Sequence, residues 1–168
     1  MAMFRRFAVR DLTILLGTAG LWWLSISAKA DSSLAAALSI SAGVGAAICA
    51  YNTHEWAHLI GAHLTRSVYV PAKRLISPFL FSYDAERNTR GQFLIMSLAG
   101  FAATALFVVG FVLWMPQDQQ AGRIALRGAL ILAGLTVVIE FPIFFRALFG
   151  TKVPRTGMFE GPTVGGRD

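Results

Sequence analysis

Five consecutive residues, His54-Glu55-Trp56-Ala57-His58, carry the densest chemistry in the chain. They form an H-E-x-x-H pattern. On a helix, residues four apart lie about 40° apart around the axis, so His54 and His58 share one face. Two imidazoles at that spacing can hold one metal ion, with Zn2+ as the expected cofactor. Glu55 leaves the same turn, where it can take a proton from a metal-bound water. The alternative use of these residues is a polar cluster near a membrane interface that only hydrogen-bonds between helices.

Zinc at a catalytic site takes three protein ligands and keeps one position for water. His63 follows His58 by five residues. On an unbroken helix it points about 140° away, so it joins the site only if the helix ends near Gly61. Glu140 is the favoured third ligand. By helical rise His54 lies roughly 30 Å along from Ser33, and Glu140 roughly 24 Å along from Ile124. If both helices run inward from the same side, the two residues fall at similar depth. An isolated carboxylate there would be expensive. Pro142 cannot continue the hydrogen-bond ladder, so a kink is expected beside Glu140. The alternative partners are Arg127, about 20 Å away along the helix, and Arg146, on another face.

These residues must be held by apolar elements. The chain is 168 residues, 55% hydrophobic and 14% charged, against about 25% charged in a soluble domain. That argues against a soluble globular enzyme and for a single polytopic membrane domain over residues 1–150, followed by an irregular cytoplasmic tail over 151–168. Four apolar stretches stand out, at about Leu12 to Ala28, Ser33 to Leu64, Gln92 to Trp114 and Ile124 to Phe149. The first follows Arg5, Arg6 and Arg10 in the manner of a signal peptide. It is long for one, and Lys29 and Asp31 make no clean cleavage site, so a retained transmembrane helix is expected. The second begins with small residues, Ala35, Ala36, Ala37, Gly43, Gly45, Ala46 and Ala47, which permit close helix contact. Between the second and third stretches, Val68-Tyr69-Val70 and Phe79 to Tyr83 have strand-like composition, with Pro71 and Pro78 as breaks. A short hairpin, a membrane-dipping segment and a plain connecting loop are all open there. The expected fold class is therefore an all-α integral membrane protein with four transmembrane helices.

The net charge is +6. Twelve of the fifteen Lys and Arg fall in the N-terminal segment, the loop after the second stretch and the tail, leaving Lys29, Arg123 and Arg127 on the other side. That is the positive-inside pattern, with both termini cytoplasmic, in a bacterial inner (cytoplasmic) membrane. It also makes nucleic acid an unexpected partner. The lone cysteine, Cys49, excludes an intrachain disulfide and a Cys-rich zinc site.

With an H-E-x-x-H placed on a membrane helix, the chain resembles the site-2 protease family of intramembrane zinc metalloproteases. The matching segments come in the family's order: His54 to Ala62 on a membrane helix, a loop with strand-like pieces, Ser97-Leu98-Ala99-Gly100-Phe101-Ala102-Ala103-Thr104 opening the next helix, and an acidic residue beside a proline in the last. The resemblance covers roughly residues 45 to 147, and only its first motif is specific. It implies zinc held by two histidines and a carboxylate, with a glutamate activating water to cut a peptide bond in or beside a membrane helix. Carried over, His54 and His58 are ligands and Glu55 is the general base. The family's Ala-Gly segment carries proline and asparagine where this chain has Phe101 and Thr104. Its third ligand is the aspartate of Leu-Asp-Gly, for which Glu140-Phe141-Pro142 is the only acidic counterpart. There is also no room for a PDZ domain.

Two functions follow as expectations. One is a minimal intramembrane zinc metalloprotease acting on a membrane-protein substrate. The other is a non-catalytic membrane scaffold or accessory subunit derived from that family, partnered through its small-residue faces. A di-iron oxidase is disfavoured because only His54, His58 and His63 are present. A transporter lacks paired, broken-helix halves.

Overall fold

The computed structural model describes residues 2–28, 32–150 and 153. The tail over 151–168, apart from Val153, and with it Lys152, Arg155 and Arg167, lies outside the described residues, as do Lys29 and Asp31.

Helix α1 spans Ala2–Ser27, α2 Ser33–Leu64, α3 Arg90–Trp114, α4 Gln120–Leu135 and α5 Phe141–Phe149. A π-helical turn, Thr136–Glu140, joins α4 to α5, so that Gln120–Phe149 reads as one interrupted rod. The first and fourth apolar stretches thus extend further toward the N-terminus than the apolar runs alone suggest. Helix formation does not require apolar side chains, and Arg5, Arg6 and Gln120 propagate it well. Among the described residues, four helices are long and apolar enough to cross a membrane: Met3–Ser27, Ser33–Leu64, Arg90–Trp114 and Gln120–Phe149.

Helix α2 is the central element, packed against α1, α3 and α4. At 32 residues it is about 48 Å long, well beyond the ~30 Å of a bilayer core. Its N-terminus is capped by the Ser32 hydroxyl, which accepts from the Ala35 N–H at 3.1 Å. Small residues let its neighbours close in. A Cβ on Gly43 would strike Ala121 and Ile124 of α4, and one on Gly45 would strike Thr18 of α1. Such contacts stand in for the hydrophobic drive that lipid does not supply.

At its far end α2 closes with two crossed bonds, Ser67 N–H to Ala62 O at 2.8 Å and Arg66 N–H to His63 O at 3.0 Å. This is a Schellman arrangement, with Arg66 at φ 55° where glycine is usual.

The strand-like pieces do form a hairpin. β1 (Tyr69–Pro71) pairs antiparallel with β2 (Phe81–Tyr83) in the register Tyr69↔Tyr83, Val70↔Ser82, Pro71↔Phe81. Pro71 is not a break but the last residue of its strand. In a two-stranded sheet both strands are edges, so its missing N–H need cost no ladder bond. Asn88 pins the hairpin's base: its Oδ1 accepts from Val68 N–H at 2.7 Å, and its Nδ2 donates to Val68 O and Asp84 O. Thr89 and Gln92 then open α3 with a reciprocal capping box.

Two apolar cores result. One gathers Phe7, Leu59, Leu80, Phe81, Tyr83, Phe93 and Met96 where α1, α2, α3 and the hairpin meet. The other, near the opposite end, joins Ala46, Ala50, Phe111, Ala125 and Ala129. Much of the outer surface is apolar: Leu12, Leu16, Trp23, Leu106, Val138 and Ile131 are all more than half exposed.

Candidate metal centre

His54 and His58 project from one face of α2 toward α3 and the α4–α5 rod. Both are buried, with side-chain exposures of 1% and 6%. Each ring is held by its outer nitrogen. His58 Nδ1 lies 2.9 Å from the Met96 carbonyl. His54 Nδ1 lies 3.1 Å from the Gly100 carbonyl and 2.8 Å from Thr104 Oγ1. Backbone carbonyls only accept, so each Nδ1 carries a proton, and in the neutral ring each Nε2 then turns a lone pair inward. Gly100 makes this approach possible, because a Cβ there would fall on the His58 ring.

Glu140 completes the triangle from the last residue of the π-helical turn. Its Oε1 lies 3.2 Å from His54 Nε2, its Oε2 3.3 Å from His58 Nε2, and the two Nε2 atoms are 3.0 Å apart. The turn has a cause in the sequence. Pro142 offers no N–H, and the Phe141 N–H reaches back five residues to Thr136 O. That wide turn aims Glu140 at α2. The kink expected beside Glu140 is thus realised as a π turn.

The three side chains form a possible metal site, and they fit an ion on two counts. Ligand atoms about 2.1 Å from a tetrahedral ion stand about 3.4 Å from one another, close to the Nε2–Nε2 distance and to the distance from each imidazole to its nearer Glu140 oxygen. With the imidazoles neutral, the inward-facing atoms are also all acceptors, which a cation between them would hold together. Neither Glu55 nor Glu140 forms an ion pair with Lys or Arg among the described residues. A dication would offset both carboxylates.

Glu55 is 6% exposed, within electrostatic reach of both imidazoles, with the backbone of Leu80 against its carboxyl. It leaves α2 about 100° round from His54, beside the triangle and outside it. Glu140, at 24% side-chain exposure, is the least covered of the three, so the approach to the centre passes it.

No family model, curated protein or solved structure matches the chain.

The remaining sequence candidates lie elsewhere. His63 sits at the end of α2 with its Nδ1 3.2 Å from the Tyr69 hydroxyl. Neither Arg127 nor Arg146 pairs with Glu140 among the described residues. Cys49 lies against Thr18.

Three participants escaped the sequence reading. Thr104 holds the outer nitrogen of His54. Tyr51 stacks over the His54 ring at 6.5 Å between centroids. Asp11 of α1 grips α2 from behind the centre. The signal for Asp11 was available: a carboxylate inside an apolar helix needs a partner. Thr104 carries no such signal, because a threonine in a membrane helix is ordinary.

Proposed function

We propose that the protein is an intramembrane metallohydrolase that cuts a peptide bond in or near a membrane segment, with zinc held by His54, His58 and Glu140. The observation that carries this reading is the His54–His58–Glu140 triangle with the Glu55 carboxyl beside it. Two histidines and a carboxylate are the ligand set of hydrolytic zinc sites with one position left for water.

When bound, zinc supplies Lewis-acid polarisation of the scissile carbonyl and acidifies the attacking water. The chain's own residues do the rest. Met96 and Gly100 carbonyls and Thr104 keep the two imidazoles in the tautomer that presents Nε2. Glu55 takes the proton from the attacking water as its oxygen bonds to the carbonyl carbon. It then delivers that proton to the amine as the C–N bond breaks. Burial of Glu55 limits bulk water and strengthens each electrostatic contact.

The outer surface supports a bilayer setting, since exposed Leu, Ile and Val along four long helices suit lipid and not water. The basic residues then favour cytoplasmic termini, the Thr65–Thr89 segment on the same side, and the Met115–Gln119 turn opposite. In a bacterium this is the inner membrane. An apolar groove of about 430 Å³ between α2 and α4 runs from Val44 and Ile124 to Tyr51 and Leu135. It ends beside the centre, where an apolar substrate segment can lie against it.

Metal analysis of the detergent-purified protein tests the reading. About one zinc per chain is expected in the wild type, lost in His58→Ala and in Glu140→Ala and retained in Glu55→Gln. The Glu55→Gln variant is expected to abolish cleavage of membrane-protein substrates. A folded wild type that takes up no zinc would leave the non-catalytic scaffold as the better reading. Stoichiometric iron in place of zinc would overturn the hydrolase chemistry.

A further inference from the structure

A nine-residue strap, Ala72 to Leu80, connects the two strands and passes Tyr51 and Glu55 of α2. It contains no regular structure; its Leu80 end is fully buried and Ala72 and Leu75 pack against the apolar core, but its apex is open. Ile76 at its apex is 87% exposed, and Lys73 and Arg74 are exposed as well. Polar ties hold this apex, to Arg10 of α1 and to Tyr51 of α2.

Arg10 donates through one guanidinium nitrogen to the carbonyls of Leu75, at 2.5 Å, and Ser77, at 3.4 Å. From α2, the Tyr51 hydroxyl donates to the Pro78 carbonyl at 2.9 Å. The Ala72 N–H to Leu80 O bond, 2.9 Å, closes the base of the strap. Beyond these ties the Leu80 backbone lies against the Glu55 carboxyl.

Arg10 is itself oriented. Its Nε donates to Asp11 Oδ1 at 2.7 Å, and its guanidinium lies over the Phe7 ring at 4.8 Å. Asp11 in turn grips α2. Its Oδ1 accepts from Asn52 Nδ2 at 3.0 Å and its Oδ2 from Trp56 Nε1 at 2.8 Å. Asn52 and Trp56 are four apart and point roughly 160–200° away from His54 around the helix. One carboxylate thus bridges two turns of α2 on the side opposite the histidines, and Glu55 lies between those turns.

We propose that Arg10 and Asp11 are a positioning pair: they hold the Ala72–Leu80 strap down against Glu55 and fix the rotation of the α2 turn that carries it. Neither residue reaches the metal triangle, so each acts through another group. Asp11 acts through Asn52 and Trp56, and Arg10 through the strap carbonyls. With the strap down, Glu55 is shielded from any peptide, so a substrate must lift the strap against this tether. What the closed strap guards rests on the hydrolase reading, whereas the tether stands on its own geometry.

Limited trypsin digestion of the full chain in detergent tests this, because Lys73 and Arg74 lie in the strap. Arg10→Ala and Asp11→Ala are each expected to speed cleavage after Lys73 and Arg74 by about tenfold. That is the scale on which loss of a charge-assisted hydrogen bond frees a local opening. Cleavage after Arg123, at the other end of the bundle, stays at the wild-type rate, and zinc content is unchanged. The double variant behaves like either single one, since the two residues act as a unit. Arg10→Lys restores part of the protection. Trp56→Phe, which keeps an aromatic ring but removes the indole N–H, gives a milder form of the same loss should the alanine variants fail to fold.

Wild-type cleavage rates in all these variants would overturn the proposal. So would equal acceleration at Arg123, which would mean general loosening. A wild type that binds no zinc yet keeps its strap resistant to trypsin would sink the hydrolase reading and leave the tether standing.

Discussion

Gly100 is the residue with the least room for change. Its carbonyl accepts from His54 and its missing side chain leaves space for the His58 ring. A single methyl there displaces an imidazole by colliding with it, so Gly100→Ala is expected to lose zinc while keeping its helical content. Thr104→Val is a gentler change. It keeps the volume and removes only the oxygen on the outer nitrogen of His54, leaving the Gly100 carbonyl in place. Loss of such an outer partner weakens metal binding by about 10–100-fold, and the lower end is expected here because one acceptor remains. Zinc competition with a chelator of known affinity reads both variants.

Among the elements, the α4–α5 rod depends on a proline for its function. Pro142 withholds the N–H that would close the Val138 carbonyl in α register, and the chain answers with a π turn ending at Glu140. In Pro142→Ala that N–H returns and the wide turn loses its cause. An α register would swing Glu140 by about 100°. The expected result is a helix at least as stable as the wild type with much weaker zinc affinity, separable by circular dichroism and metal titration. The end of α2 offers a change of opposite sign. Arg66 holds φ 55° in the left-handed region, which costs a side-chain-bearing residue about 1 kcal/mol or more. Arg66→Gly is expected to stabilise the fold by about 1 kcal/mol in denaturant unfolding, with no effect on the metal centre.

For the whole molecule, the assignment of sides is the testable property. The Thr65–Thr89 segment carries Arg66, Lys73, Arg74 and Arg87, whereas the α3–α4 turn holds Asp118 and no Lys or Arg between Met115 and Gln119. In a Cys49→Ser background, Glu86→Cys is expected to be shielded from a membrane-impermeant maleimide in intact cells, and Asp118→Cys to be labelled once any outer membrane is made permeable. The reverse pattern would invert the orientation without touching the fold. Small residues are what let four helices gather tightly enough for this arrangement. Gly43 admits Ala121 and Ile124, and Gly128 admits Ala47, so α4 comes close enough to α2 for the carboxylate of the π turn that follows it to meet the histidines.

The sequence alone determined what depends on local periodicity and composition. The ends of α2 match the second apolar stretch, and the H-E-x-x-H spacing puts His54 and His58 on one face, because helical geometry is the same wherever it occurs; the strand-like pieces are legible too, but that they pair is seen only in the structure. The sequence also offered Glu140 as a ligand, from depth and from the cost of a lone carboxylate. Only the tertiary structure decided that Glu140 points at the imidazoles, since this needs the π turn and the close α2–α4 approach together. The roles of Gly100, Thr104, Tyr51, Asp11 and Arg10 belong to the same class. Each acts across a helix interface on a residue tens of positions away, as when Asp11 meets Trp56 or Arg10 meets Leu75. No spacing within one helix encodes such a meeting, because it depends on how the helices are rotated and stacked against one another.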